Sequence, residues 1–155
     1  MNSFTPHITV ACVVEDNGKF LFVREWSQDR QVLNQPAGHV EFGETLEQAA
    51  YRETLEETAW QVDITDLIGW YIFQPYRGSG VYYRACFAAQ ARHHDPRQKL
   101  DTGIIGAEWL TREQLTQCRS EHRSPLVERC VDDYLSGRRL PLDSIYQHPW
   151  PLQQG

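Results

Sequence analysis

"GHVEFGETLEQAAYRETLEETAW" runs from Gly38 to Trp60, and its reading decides the fold. The chain breaks at Pro36, Gly38 and Gly43. Thr45 then opens a helix, because Thr45 and Gln48 form a Thr-x-x-Gln capping box with strong helix formers after it. Late in that helix stand Glu53, Glu56 and Glu57. At about 100° per residue from Glu53, Glu56 falls near −60° and Glu57 near +40°, while Leu46, Ala49 and Ala50 fall at roughly +20°, −40° and +60°. The carboxylates therefore continue a stripe of small apolar residues, the kind of stripe that faces the rest of the protein. This arrangement has costs. Glu53 and Glu57 repel across one helical turn by roughly 0.2–0.5 kcal/mol, and the helix dipole disfavours Glu56 and Glu57 by roughly 0.3–1 kcal/mol each. Locally, Arg52 offsets them through Glu56 in the weaker of the two orientations. A divalent cation relieves the conflict, since clustered carboxylates suit magnesium or manganese, which also bind substrate phosphates. Gly38 and Gly43 allow backbone to come close to such a group.

Upstream, "ITVACVVEDNGKFLFVREW" reads as two strands about the turn Asp16-Asn17-Gly18. "VLNQP" starts extended. Downstream, "LIGWYIFQPYR" and "GVYYRACFAAQAR" read as strands separated by the loop at Gly78-Ser79-Gly80. A polar loop from Ala91 to Leu100 and a short strand ending near Trp109 follow. Thr111 with Gln114 caps a second helix, Ser124 to Leu135 forms a third closed by Gly137, and the proline-rich tail lies across the surface. Strands surround the helices without repeat or linker, so the expectation is one α/β domain over 1–155 with helices on both sides of a mixed sheet. The C-terminal helix and tail occupy 124–155.

The chain has 155 residues, 41% of them hydrophobic, and a formal charge of −6. An acidic balance opposes general binding to duplex nucleic acid, which needs a basic face. Four scattered cysteines (Cys12, Cys86, Cys118, Cys130) without a C-x-x-C pair make a poor zinc or disulfide signature and suggest reduced thiols in the cytoplasm. The apolar stretch Val10 to Val14 is a strand's length, too short for a membrane span. Nothing fixes the oligomeric state; a monomer is the simplest expectation.

The stretch also resembles the Nudix box, Gly-x5-Glu-x7-Arg-Glu-U-x-Glu-Glu-x-Gly-U, where U is a bulky aliphatic. Gly38, Glu44, Arg52, Glu53, Glu56 and Glu57 keep every spacing over 38–60. Thr54, Ala59 and Trp60 depart, at the first aliphatic, the second glycine and the final aliphatic. Ala59 bears on the helix stop, where a glycine takes φ > 0 and alanine costs roughly 1 kcal/mol: the helix accepts that strain or runs on. The resemblance implies the Nudix α/β/α sandwich and Mg²⁺, or Mn²⁺ as a substitute, held by Glu53, Glu56, Glu57 and the Gly38 carbonyl. Outside the box, "PHITVACVV", "LNQPAGHVE" and "RSPLVERC" resemble a branch associated with hydrolysis of nucleoside tri- and diphosphates and of hydroxymethylpyrimidine diphosphate.

Glu53 is the first choice of general base because it shares the metal face, with Asp101 and Glu108 as alternatives. Arg52 orients a glutamate by ion pairing. Glu44 is either structural or an outer-shell metal residue. Small-molecule nucleotides or related diphosphates are the expected partners. Trp26, Phe73, Tyr76 and Tyr82 are candidates to stack on a ring, against an alternative role in core packing. Arg24, Arg77 and Arg84 are candidates for outer phosphates, against an ordinary surface role. His39, beside Gly38, is a further candidate for a substrate contact, and His93-His94 reads as loop. Two other functions fit the same motif: cleavage of ADP-ribose or an oxidised nucleotide, and a non-catalytic nucleotide sensor.

Overall fold

The computed structural model describes residues 3–149; the end of the proline-rich tail lies outside them. Strands β1 (His7–Asp16), β2 (Lys19–Ser27), β3 (Arg30–Asn34) and β4 (Ala37–His39) precede helix α1 (Leu46–Thr58). Strands β5 (Trp60–Phe73), β6 (Tyr82–His94) and β7 (Ile104–Thr111) follow, then helices α2 (Arg112–Gln117) and α3 (Leu126–Leu135). None of these helices is long and apolar enough to cross a membrane.

Asn17 and Gly18 both take positive φ (49° and 76°), the twist that suits a two-residue hairpin. Only two residue pairs join β1 to β2 beside that turn, Glu15 with Phe20 and Asp16 with Lys19. Beyond them the hairpin opens. β1 pairs with β4 and, in parallel, with β6, and β2 pairs with β3 and β7. The sheet is mixed, as expected. Alternation along β1 divides its side chains. Val10, Cys12 and Val14 join Ala49 and Ala50 of α1 in one core cluster; Ala11 and Val13 join Val127, Cys130 and Val131 of α3 in the other. Period-two burial with helices on both sides yields the α/β/α architecture.

Several strand boundaries differ from the sequence reading: Ala37–His39, read as part of a loop, pair with β1 as β4, and β7 runs past Trp109 to Thr111. β5 begins at Trp60, and β6 runs through Ala91–His94 instead of ending in a loop. Gln61 and Asp63 look loop-like because they point outward on either side of buried Val62. Register shifts near Val62, Asp66 and Gly69 keep β5 paired with β6 across its length. Gln74–Arg77 lie in the connection instead of the strand. The tail does cross the surface: Leu140 bridges to Leu67, and Leu142 and Ile145 pack on the α1-side core.

At the helix stop the chain accepts the strain. Ala59 is left-handed (φ 60°, ψ 15°), with its N–H donating to the Leu55 carbonyl. The segment after β6 then caps α1. Asp95 N–H donates to the Ala59 carbonyl, Gln98 Nε2 to Leu55 and Asp101 N–H to Glu56. Trp60 replaces an aliphatic by packing edge-on against Trp109, with ring centroids 5.6 Å apart. Ala59→Gly is expected to relieve about 1 kcal/mol and raise the melting temperature by roughly 2–4 °C. A lower melting temperature in a thermal scan contradicts it.

Candidate active site

Thr45 starts α1 with both halves of its capping box formed with Gln48. The register set there buries Ala49, Ala50, Glu53, Thr54 and Glu57 along one side. Thr54, at a departing position, is satisfied locally, its hydroxyl donating to the Ala50 carbonyl at 2.8 Å.

Arg52 organises the surrounding carboxylates. Nε and Nη2 donate to Glu44 at 3.0 and 2.7 Å, and Nη1 donates to Glu53 at 2.7 Å and Glu56 at 3.2 Å. Nη2 also reaches the His39 carbonyl at 3.0 Å. Glu44 accepts the Glu41 N–H at 2.7 Å, so it holds both Arg52 and the loop before the helix. The hydrogen bonds from Arg52 hold the Glu44 carboxyl below its ordinary range, and the same contacts raise Arg52.

Glu53 lies against Gly38. A Cβ at that glycine would fall 2.2–2.4 Å from the three atoms of the Glu53 carboxyl group, so its hydrogen is what admits the carboxylate. Carboxylate oxygens of Glu53, Glu56 and Asp101 gather within 4.8 Å of one another. Burial is the largest influence on Glu53 and pushes its pKa up; Arg52 opposes this, and Glu56 and Asp101 add to it. An all-oxygen anionic set of this kind fits a hard divalent cation. Glu57, on the same face, points elsewhere: its carboxylate accepts the Ala37 N–H at 3.1 Å. Burial raises the Glu57 carboxyl to about 9, against the Ala37 hydrogen bond and with help from Glu25, Glu53 and Asp101.

The sequence candidates divide accordingly. Glu53, Glu56 and Asp101 come together, with Arg52 and Glu44 behind them. Arg24 and Glu108 instead pair with each other at 2.7 Å, and Arg24 also meets Glu121 at 2.6 Å. Next to the carboxylates opens a cleft of about 510 Å³. Gly38, His39, Phe73, Tyr76, Tyr82 and Arg84 line it, whereas Trp26 and Arg77 do not. His7 stacks on Tyr82 with centroids 4.5 Å apart and planes 13° from parallel, and its Nδ1 lies 3.0 Å from His39 Nε2. Burial lowers the His39 pKa, and His7 and Arg123 lower it further. Thr9, Asn34 and Arg123 also line the cleft and went unmarked in the sequence. Arg123 comes from the irregular segment after α2, where no periodicity signals a site. His93 and His94 belong to β6, and His94 stacks on Trp60. The four cysteines are unpaired.

The NUDIX domain model matches residues 5–130. The phosphatase NudJ of Escherichia coli strain K12 is 39% identical over 152 residues, 98% of each chain. A solved NUDIX hydrolase from Nitrosomonas europaea superposes with a TM-score of 0.90 at 40% identity, covering 93% of this chain and 98% of that one. A UDP-X diphosphatase, at 17% identity and a TM-score of 0.71 over 91% of this chain and 68% of that one, shares the fold. Box, fold and relatives agree: the chain belongs to the Nudix family and is a hydrolase acting on phosphorus-containing anhydrides.

Proposed function

We propose that this hydrolase is a magnesium-dependent phosphatase of nucleoside tri- and diphosphates and of related ring-bearing diphosphates, hydroxymethylpyrimidine diphosphate among them. The observation that carries the reading is the gathering of Glu53, Glu56 and Asp101 within 4.8 Å beside an aromatic-walled cleft. The 39% identity to the E. coli phosphatase NudJ supports it. When bound there, a divalent cation neutralises phosphate charge and polarises the phosphoryl oxygen. Glu53 and Glu56, with Asp101, would hold it, with the Gly38 carbonyl and Glu57 as the further donors that the Nudix box implies. Arg52 keeps Glu53 and Glu56 in place, and Glu44 keeps Arg52 in place. Glu53, set against Gly38 beside the cleft, takes the proton of the attacking water. The new P–O bond forms as the anhydride P–O bond breaks, giving orthophosphate and the organic product. Free thiols support a reducing, cytoplasmic setting.

A phosphate-release screen with Mg²⁺, Mn²⁺ or EDTA over nucleotides and hydroxymethylpyrimidine diphosphate tests this reading. Orthophosphate from tri- and diphosphates, abolished by EDTA, is expected. Pyrophosphate from triphosphates, or paired monophosphates from ADP-ribose, would replace the reading with a pyrophosphohydrolase. No turnover across the panel would leave a nucleotide sensor.

A further inference from the structure

Arg84 stands on β6 opposite Thr9 of β1, which in turn faces His39 of β4. Such a row shares one face of the sheet. Two residues along, the row Cys86, Ala11 and Ala37 lies under α3 in the core. At Arg84 that apolar cover ends and the row opens into the cleft. The residue is nonetheless only 8% exposed. Its guanidinium donates to Gln35 Oε1 at 3.3 Å and Asn34 Oδ1 at 3.4 Å, and it lies beside the Cys130 thiol. Gln35 and Asn34 are neutral amides, and both hydrogen bonds are long. Nearby arginines are neutralised: Arg52 by Glu44 and Glu53, Arg123 by Glu25, and Arg24 by Glu108 and Glu121. Among the described residues, Arg84 is the buried arginine that no carboxylate pairs. A guanidinium so desolvated, with five donors against two long amide contacts and the Cys130 sulfur, is preorganised for an oxyanion.

Its place in the cleft indicates which oxyanion. Gly38 touches both sites: it lines the cleft with Ala37 and His39, and a Cβ on it would strike the Glu53 carboxyl. The carboxylate trio serves the phosphorus that is attacked. The cleft carries the aromatic wall of Tyr82 and His39, with His7 stacked on Tyr82, and so serves the organic part. We propose that Arg84 is a specificity-determining residue that binds the phosphate remaining on the organic product. The cleft then takes a ring-bearing diphosphate with its inner phosphate on Arg84, its ring against the aromatic wall and its departing phosphate toward Glu53. This assignment rests on the phosphatase reading for the direction of cleavage, and on the cleft alone for the binding.

Binding without turnover separates the two. In EDTA, adenosine 5′-monophosphate is expected to raise the melting temperature of the wild-type protein, and by more than orthophosphate at equal concentration. Arg84→Met is expected to lose the shift and Arg84→Lys to keep part of it. With metal and a nucleoside diphosphate, Arg84→Met is expected to raise KM about 10- to 100-fold, the worth of a charge-assisted hydrogen bond, with kcat changed less than about twofold. Four results overturn the proposal: no shift in the wild type, equal shifts from monophosphate and orthophosphate, an undiminished shift in the variants, or a fall in kcat with KM unchanged. If Arg84→Met does not melt cooperatively, Arg84→Lys decides, and an undiminished shift there is fatal. If only the phosphatase reading fails, the Arg84-dependent binding in EDTA persists.

Discussion

Glu53→Gln is expected to lower kcat by about 10²–10⁴-fold, the usual worth of a positioned general base, while leaving the fold intact. Glutamine keeps the volume and an Oε1 that can still accept from Arg52 Nη1, now 2.7 Å from the Glu53 carboxylate. What disappears is one of the three charges gathered with Glu56 and Asp101, together with the group that accepts the water proton. Steady-state assays at saturating magnesium, alongside circular dichroism, measure both effects. A variant with wild-type kcat would remove Glu53 from the site. Gly38→Ala serves as the positional control, leaving the Glu53 carboxyl chemically unchanged. A methyl group there would meet the carboxyl carbon at 2.2 Å, far inside van der Waals contact, so the carboxyl has to leave. The same loss from both substitutions assigns the effect to where the carboxylate stands as well as to its charge.

How much of this site could be read in the sequence depends on what holds each residue. Helical periodicity places Glu53, Glu56 and Glu57 on an inward face; α1 buries Glu53 and Glu57 along with Ala49 and Ala50, and leaves Glu56 half-buried. Periodicity does not fix rotamers. Glu56 turns toward Arg52, whereas Glu57 turns to the Ala37 N–H, and neither choice follows from an angle count. Asp101 joins Glu53 and Glu56 because its own N–H caps the Glu56 carbonyl at 3.0 Å. A backbone hydrogen bond across that distance in sequence leaves no side-chain signature. Arg84 is a sequence candidate for an outer phosphate, with an ordinary surface role as its alternative, but its burial is not legible there, because it depends on Asn34 and Gln35, on and just after β3. The hairpin at Asn17-Gly18 and the capping boxes at Thr45 and Thr111 were legible because their physics is local. The cleft was not, because distant strands build it.

Glu57→Gln is expected to move stability and activity in opposite directions. In the metal-free protein the Glu57 carboxyl is raised from its ordinary 4.5 to about 9, mainly by burial. A raised acid pKa means that the fold prefers the neutral form. Above pH 4.5 the unfolded chain ionises here while the folded chain resists, so stability falls with rising pH and levels off only above about 9. For one proton the slope is at most about 1.4 kcal/mol per pH unit, and Glu53, shifted the same way, adds to it. Glutamine cannot ionise, and its Oε1 can keep the Ala37 hydrogen bond while its amide faces the neighbouring carboxylates. At pH 8 in EDTA the variant is therefore expected to melt roughly 5–10 °C higher than the wild type, with a shallower dependence on pH. Magnesium is expected to close that gap by stabilising the wild type more than the variant, because ligand binding to the folded state adds to stability and the variant has lost a charge that favours the cation. Turnover is expected to fall at least about 10- to 100-fold, the cost of disturbing a group that supports a metal site. Melting curves from pH 5 to 9, with and without magnesium, decide it. Equal slopes in EDTA would mean that Glu57 ionises freely in the fold, and full activity would detach it from the site. Both results as expected would mean that the helix keeps this carboxylate at a cost to its own stability, which the bound cation offsets.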